Sequence, residues 1–133
     1  MTIELVEIYQ RIKSLMKSYE GVLTAKTDME NRYDLWSVKD LIIEGRARTE
    51  VYYAGLIMQS GYVGFYYMPV YTDKELKELM SPELLKLRKG KSCFHITKLD
   101  DVLEEQIRDV LAVGYGLYQE RGWIKDPSSE LNQ

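Results

Sequence analysis

Hydrophobic residues near the start of the chain fall at Leu5, Ile8, Tyr9, Ile12, Leu15, Met16 and Tyr19. Steps of three and four residues place them on one face of an α-helix. Glu4, Glu7, Arg11, Lys13 and Lys17 lie off that stripe. Thr2 is positioned to cap the first turn, and Gly21 to end the helix in the left-handed conformation. The period then changes. Leu23, Ala25 and Thr27 alternate with polar neighbours, and residues 33–38 are rich in strand formers. Two strands are therefore expected around a turn at Met29-Glu30-Asn31. Leu41-Ile42-Ile43 reads as a third short strand, with Glu44-Gly45-Arg46 as the connection after it.

The strongest strand signal is a pair of apolar and aromatic runs, residues 51–58 and 62–68, around Gln59-Ser60-Gly61. So short a loop can join only antiparallel neighbours. Pro69 ends the second run, because it cannot donate to the ladder. Thr72-Asp73-Lys74-Glu75 has the spacing of a capping box, and Leu76, Leu79 and Met80 give the short helix after it a buried side. Ser81-Pro82 opens a second short helix, which Gly90 ends. Residues 92–97 form the last strand. Asp100 then caps the longest helix, whose stripe is Leu103, Ile107, Val110, Leu111, Gly114, Leu117 and Tyr118. Gly122 suits the left-handed position after it, with Trp123 folding back. Gly114 and Gly116 are read as sites of close packing.

This order predicts an α+β domain: an antiparallel sheet of about five to six strands, with N- and C-terminal helices packed on one face and two short helices between the last strands. The domain spans residues 1–123, and residues 124–133 are a polar tail.

The central hairpin is unusual in being apolar on both faces. Strict alternation puts Val51, Tyr53, Gly55 and Ile57 on one face of its first strand, and Tyr52, Ala54, Leu56 and Met58 on the other. In the second strand Tyr62, Gly64, Tyr66 and Met68 alternate with Val63, Phe65 and Tyr67. A sheet with one wet face should instead alternate apolar and polar. The second face therefore calls for a cover. The first expectation is that residues 69–90 wrap over it. The alternatives are a homodimer and a tyrosine-lined ligand groove.

Composition narrows the setting. The chain has 133 residues, 45% hydrophobic, with 18 basic and 21 acidic residues for a net charge of −3. A nucleic-acid partner is not expected of an acidic domain without a basic tract. The short run Lys86, Arg88, Lys89 and Lys91 reads as a solvated helix end. No apolar run approaches the ~18 residues of a membrane span. A single cysteine, Cys93, excludes an intrachain disulfide. No membrane partner and a cytoplasmic location are expected.

Three groups of residues offer chemistry. Cys93 and His95, the only cysteine and the only histidine, share a strand face with Lys91. A cation lowers a thiol pKa, and thiolate is the reactive form. Burial as a small apolar residue is the plainer reading of Cys93. Glu4 and Glu7 on the first helix, with Asp100, Asp101, Glu104, Glu105 and Asp109 on the last, are oxygen ligands of the kind hard cations take. Acids in a first turn also serve the helix dipole. Tyr53 and Tyr66, with Lys91, Cys93 and His95, are the candidate ligand-binding set. No phosphate loop, dinucleotide fingerprint or hydrolase motif is present.

Three stretches together resemble one bacterial family: Tyr62-Val63-Gly64-Phe65-Tyr66-Tyr67-Met68-Pro69-Val70-Tyr71, Ser81-Pro82-Glu83-Leu84 and Gly90-Lys91-Ser92-Cys93-Phe94-His95. They are similar to the YdhG-like family, a small domain catalogued as of unknown function. The resemblance covers roughly residues 24–123. It implies helices packed on an antiparallel sheet. Some members are described as frataxin-like, which implies iron as cargo on an acidic surface of the first helix and neighbouring strand. Here that helix offers only Glu4 and Glu7 before Arg11, Lys13 and Lys17.

The reading that follows is a non-catalytic module binding a small ligand or a protein partner, without a cofactor. An iron chaperone and a thiol-dependent enzyme using Cys93 and His95 are the alternatives.

Overall fold

The computed structural model describes residues 3–73 and 75–125. Helix α1 (Ile3–Lys17) buries Leu5, Ile8, Tyr9, Ile12 and Met16, the stripe its periodicity marks. The Thr2 cap lies outside the described residues. Four strands follow: β1 (Thr24–Asp28), β2 (Arg32–Ile43), β3 (Arg46–Gln59) and β4 (Tyr62–Tyr67). Leu41-Ile42-Ile43 is the far end of β2, reached through an irregularity between Val38 and Leu41. The β2–β3 turn is Glu44-Gly45, both at positive φ (52° and 78°), as tight hairpin turns require.

Three single helical turns come next, α2 (Pro69–Thr72), α3 (Leu76–Leu79) and α4 (Pro82–Leu85), one more than the pattern predicts. The expected capping box does not form. Pro69 starts a helical turn that runs through Thr72, so Thr72 is not the extended residue an N-cap must be. Asp73 is extended instead, and its carboxylate accepts from the Glu75 amide at 3.1 Å. In α4 the Ser81 hydroxyl accepts from the Leu84 amide at 3.2 Å. Strand β5 (Cys93–Ile96) leads to α5 (Asp101–Glu120), which Asp100 caps by accepting from the Leu103 amide at 2.8 Å.

The sheet is an antiparallel meander in the order β1-β2-β3-β4-β5. Residues 87–89 run along the outer edge of β5: the His95 amide donates to the Leu87 carbonyl and the Lys89 amide to Cys93. Both long helices pack on one face. Phe65, Tyr67, Leu56, Leu35 and Tyr33 point up from the sheet into Ile12, Met16, Ile107 and Leu111. The Tyr53 hydroxyl donates to the Leu111 carbonyl and that of Tyr67 to Val110, which fixes α5 across β3 and β4. Gly114 makes room for this. A Cβ there would lie 2.8 Å from Pro69 Cγ and closer still to the Tyr67 hydroxyl, whereas one at Gly116 would meet nothing. Close packing thus explains one of the two helix glycines.

After α5, Gly122 (φ 74°) takes the left-handed position, and the Trp123 amide returns to the Tyr118 carbonyl at 2.9 Å. The Trp123 ring meets Tyr118 edge-on at 5.0 Å. Ser37 and Lys39 of β2 hold the carbonyls of Trp123 and Gly122. Ile124, assigned to the tail by its sequence, is buried in the core. Residues 126–133 lie outside the described residues.

The described residues of the segment 69–90 do not cover the second face of the hairpin. Their buried side chains, Val70, Leu76, Met80 and Leu84, belong to the core cluster on the helical side. Ser81 bonds Gln106 of α5 at 2.7 Å, and Asp73 pairs with Arg121 at 3.3 Å. A short amphipathic turn records that one side is buried, not against which layer, and here α5 supplied the nearer apolar surface.

Candidate functional site

The face opposite the helices can be read from the register. Arg32, Asp34, Trp36 and Val38 of β2 stand opposite Ile57, Gly55, Tyr52 and Glu50 of β3. Gly55, Ile57 and Gln59 stand opposite Tyr66, Gly64 and Tyr62, while Cys93 and His95 continue the rows on β5. The register slips between Leu35 and Trp36, leaving Tyr53 as an extra residue on β3. Such a bulge turns two successive side chains to one side. Tyr53 and Ala54 therefore both face the helices and are fully buried. Tyr52, not Tyr53, joins Gly55 and Ile57 on the outer face.

Large rings pave this face. A Cβ on Gly55 would lie 2.9 Å from the Tyr33 carbonyl and nearer still to the Tyr52 hydroxyl and Asp34 Oδ1, so the Tyr52 side chain lies across Gly55. A Cβ on Gly64 would lie 3.1 Å from the Tyr66 ring. Each glycine is roofed by a tyrosine, which would stand upright on any larger residue. Tyr62 stacks on His95 at 3.8 Å, and Trp36 meets Tyr52 edge-on at 5.1 Å. Lys26 stands 4.6 Å over the Trp36 ring and pairs with Glu50. Asp34 is buried and accepts from Arg32 at 3.1 Å and from the Tyr52 hydroxyl at 3.5 Å. Burial first, and the Asp34 carboxylate after it, push the Tyr52 hydroxyl far above the usual tyrosine range, so it stays protonated and donates. Trp36, Tyr52, Ile57, Tyr62, Tyr66, Cys93 and His95 are all half-buried, shielded by one another rather than by a covering element. Gly55→Ala should cost about 1–3 kcal/mol, the range for forcing extra volume into a packed site. Urea unfolding reads it, and wild-type stability would mean that Tyr52 has another resting place.

Of the five candidate ligand residues, the structure brings Tyr66, Cys93 and His95 onto this face. Tyr53 sits across the sheet in the core. Lys91 precedes β5, and its ammonium leans 5.5 Å over the Tyr71 ring of α2. Alternation alone misplaces Tyr53 because a bulge leaves no mark in residue type. Trp36 and Tyr62 were missed as site residues, although each sits on a strand whose alternate residues are core.

The thiol is not paired with the imidazole. Burial raises the thiol pKa above its ordinary value, and the neighbouring Tyr66 hydroxyl only partly opposes this. Cys93 should therefore react slowly with a disulfide reagent at pH 7. A burst of labelling comparable to free thiol would contradict its setting.

Glu4 and Glu7 of α1 come together with Asp100, Asp101 and Glu104 around Arg11, whereas Glu105 pairs with Arg108. Glu4, Glu7, Glu83 and Asp100 line a cavity of about 640 Å³ together with Arg11 and Lys98. Arg11 grips Glu104 with two bonds of 3.1 and 2.9 Å, reaches Asp101 at 3.4 Å and donates to the Leu99 carbonyl. That hydrogen bond holds the Glu104 carboxyl below the usual carboxylate range. Among the described residues, no group of three or more Asp, Glu, His or Cys is arranged to hold a metal ion. A depressed carboxyl stabilises the fold above its unfolded pKa, and the gain is lost as pH falls through the folded value. The stability difference between wild type and Glu104→Gln should therefore be present at pH 7 and vanish at acid pH. A pH-independent difference would place the role of Glu104 elsewhere.

The fold and this face together define an α+β domain with one helical layer and one bare, aromatic sheet face. No protein-family model, curated protein or solved structure matches the chain. Among the described residues, no helix is long and apolar enough to cross a membrane.

Proposed function

We propose that this chain is a non-catalytic binding module that takes a protein partner on the outer face of its sheet. The observation that supports this most is the aromatic outer face, on which no element of the described residues packs. A surface of contiguous large apolar groups in a soluble domain usually marks an interaction site. Its composition fits the centre of a protein interface, where Tyr, Trp and Met are enriched, and Lys26, Arg32 and Glu50 supply a charged rim. Its shape favours a protein over a small molecule. Small-molecule sites are concave, whereas neither Tyr52 nor Tyr66 lines any of the cavities among the described residues. A second copy of the chain is one form the partner can take, through an isologous contact. The reading places the module in the cytoplasm, where a lone thiol stays reduced.

A photo-crosslinking residue placed at position 57 or 62 in cells tests this. Discrete adducts are expected from these positions and not from 79 or 113, which are exposed apolar positions on helices. Light scattering of the purified chain shows whether the adduct is a second copy. Adducts from the helical positions alone, or from none, would overturn the proposal.

A further inference from the structure

A second feature is independent of the outer face. The far end of the β2–β3 hairpin, the turns α2 and α3, the segment before β5 and the C-terminal turn border an open cavity of about 780 Å³. That volume lies within the ~300–1,000 Å³ range of small-molecule sites. Among the described residues, four cations line it, Lys77, Arg88, Lys91 and Arg121, against one acid, Glu44. The chain as a whole carries −3, so the lining reverses the sign of the molecule. We propose that this cavity binds a small organic anion, with a carboxylate or phosphate head on an apolar body.

The charge in the cavity is largely unspent. Arg121 pairs with Asp73 and stands 4.8 Å over the Trp123 ring. The Arg88 guanidinium donates to the neutral Lys91 carbonyl at 2.7 and 3.3 Å. The Lys91 ammonium stands over the Tyr71 ring. Among the described residues, Lys77, Arg88 and Lys91 form no ion pair. Three positive groups on one lining, none of them in an ion pair with Glu44, repel one another, and an anion relieves that repulsion while accepting charge-assisted hydrogen bonds. The Arg88 fork is already oriented by its bonds to the Lys91 carbonyl, so little freedom is lost on binding. Apart from Thr72, the remaining walls are apolar or aromatic. Tyr71 is half exposed, Ile42 is 75% exposed and Trp123 closes the C-terminal side. Large apolar groups left open beside unspent cations fit a ligand with both a charged head and an apolar body, rather than a bare inorganic ion. The run Lys86, Arg88, Lys89 and Lys91, read from the sequence as a solvated helix end, here divides: Arg88 and Lys91 turn into the cavity.

The test is an amide NMR titration of the full chain with phenyl phosphate, benzoate, inorganic phosphate and benzyl alcohol. Saturable shifts at Tyr71, Lys91 and Trp123 are expected with phenyl phosphate, benzoate or both, and the two arms identify the preferred head. Inorganic phosphate and benzyl alcohol should each bind at least about tenfold more weakly, having lost one half of the recognition. The double variant Lys77→Gln/Lys91→Gln removes two cations whose side chains make no hydrogen bond among the described residues. It should keep the wild-type melting temperature and lose about tenfold or more in affinity, and Lys77→Arg/Lys91→Arg should restore binding. The site is refuted if neither aromatic anion gives a saturable shift up to about 10 mM. It is equally refuted if the glutamine variant binds as wild type does, or if benzyl alcohol binds as well as the anions.

Discussion

Phe65→Ala should destabilise the chain by about 3–5 kcal/mol, the range for truncating a buried aromatic residue. Phe65 is fully buried, with Tyr67 and Phe94 rings 5.8 and 6.0 Å away. It lies at the centre of the layer between sheet and helices, where little can collapse into the void. Tyr66, the next residue, points the other way. Tyr66→Ala removes a ring of similar size but should cost below about 1.5 kcal/mol, because water already reaches that side chain. Denaturant unfolding of the two variants measures the difference between the faces. Equal costs would mean that the outer face is packed as tightly as the inner one.

Leu111→Ala should cost about 2–5 kcal/mol. Leu111 is buried in the middle of α5, and its carbonyl receives the Tyr53 hydroxyl, so it marks the point where helix and sheet are locked. A loss below about 1 kcal/mol would make α5 a peripheral helix, and the helical layer would then no longer be the support of the sheet.

Much of this architecture is legible in the chain because local chemistry dictates it. The 3.6-residue stripes of α1 and α5 give both helices and their buried sides. Glu44-Gly45 and Ser60-Gly61 permit only tight turns between long strands, so the antiparallel order follows. Asp100, Ser81 and Gly122 act as their positions require. What is not legible depends on partners distant in sequence. The bulge that turns Tyr53 inward and Tyr52 outward is set by pairing with Leu35 and Trp36, and nothing in the run 51–58 announces it. Residues 69–90 have an apolar side in sequence, but only the position of α5 decides that this side faces the helices. Thr72 has the spacing of a cap, yet Pro69 draws it into a helix. The pairing of Arg11 with Glu104, 93 residues apart, turns an acidic cluster into a mixed one.

These same long-range effects made the candidate site only half visible. The excess of tyrosine on the hairpin signals a face needing cover, and Tyr66, Cys93 and His95 do lie there. The roofing of Gly55 by Tyr52 and of Gly64 by Tyr66 could not be seen, since it requires the register across three strands.

The central claim is that the outer sheet face is the working surface. Its most direct test is the crosslinking yield from position 62 in chains carrying Ile57→Arg. Ile57 is half-buried in the middle of that face and stands opposite Arg32 and Gly64, so the new charge faces a partner but no core. The yield should fall at least about tenfold, as expected when a charge enters the centre of an interface, while the unfolding midpoint stays close to wild type. An undiminished yield from the folded variant would contradict the assignment of this face.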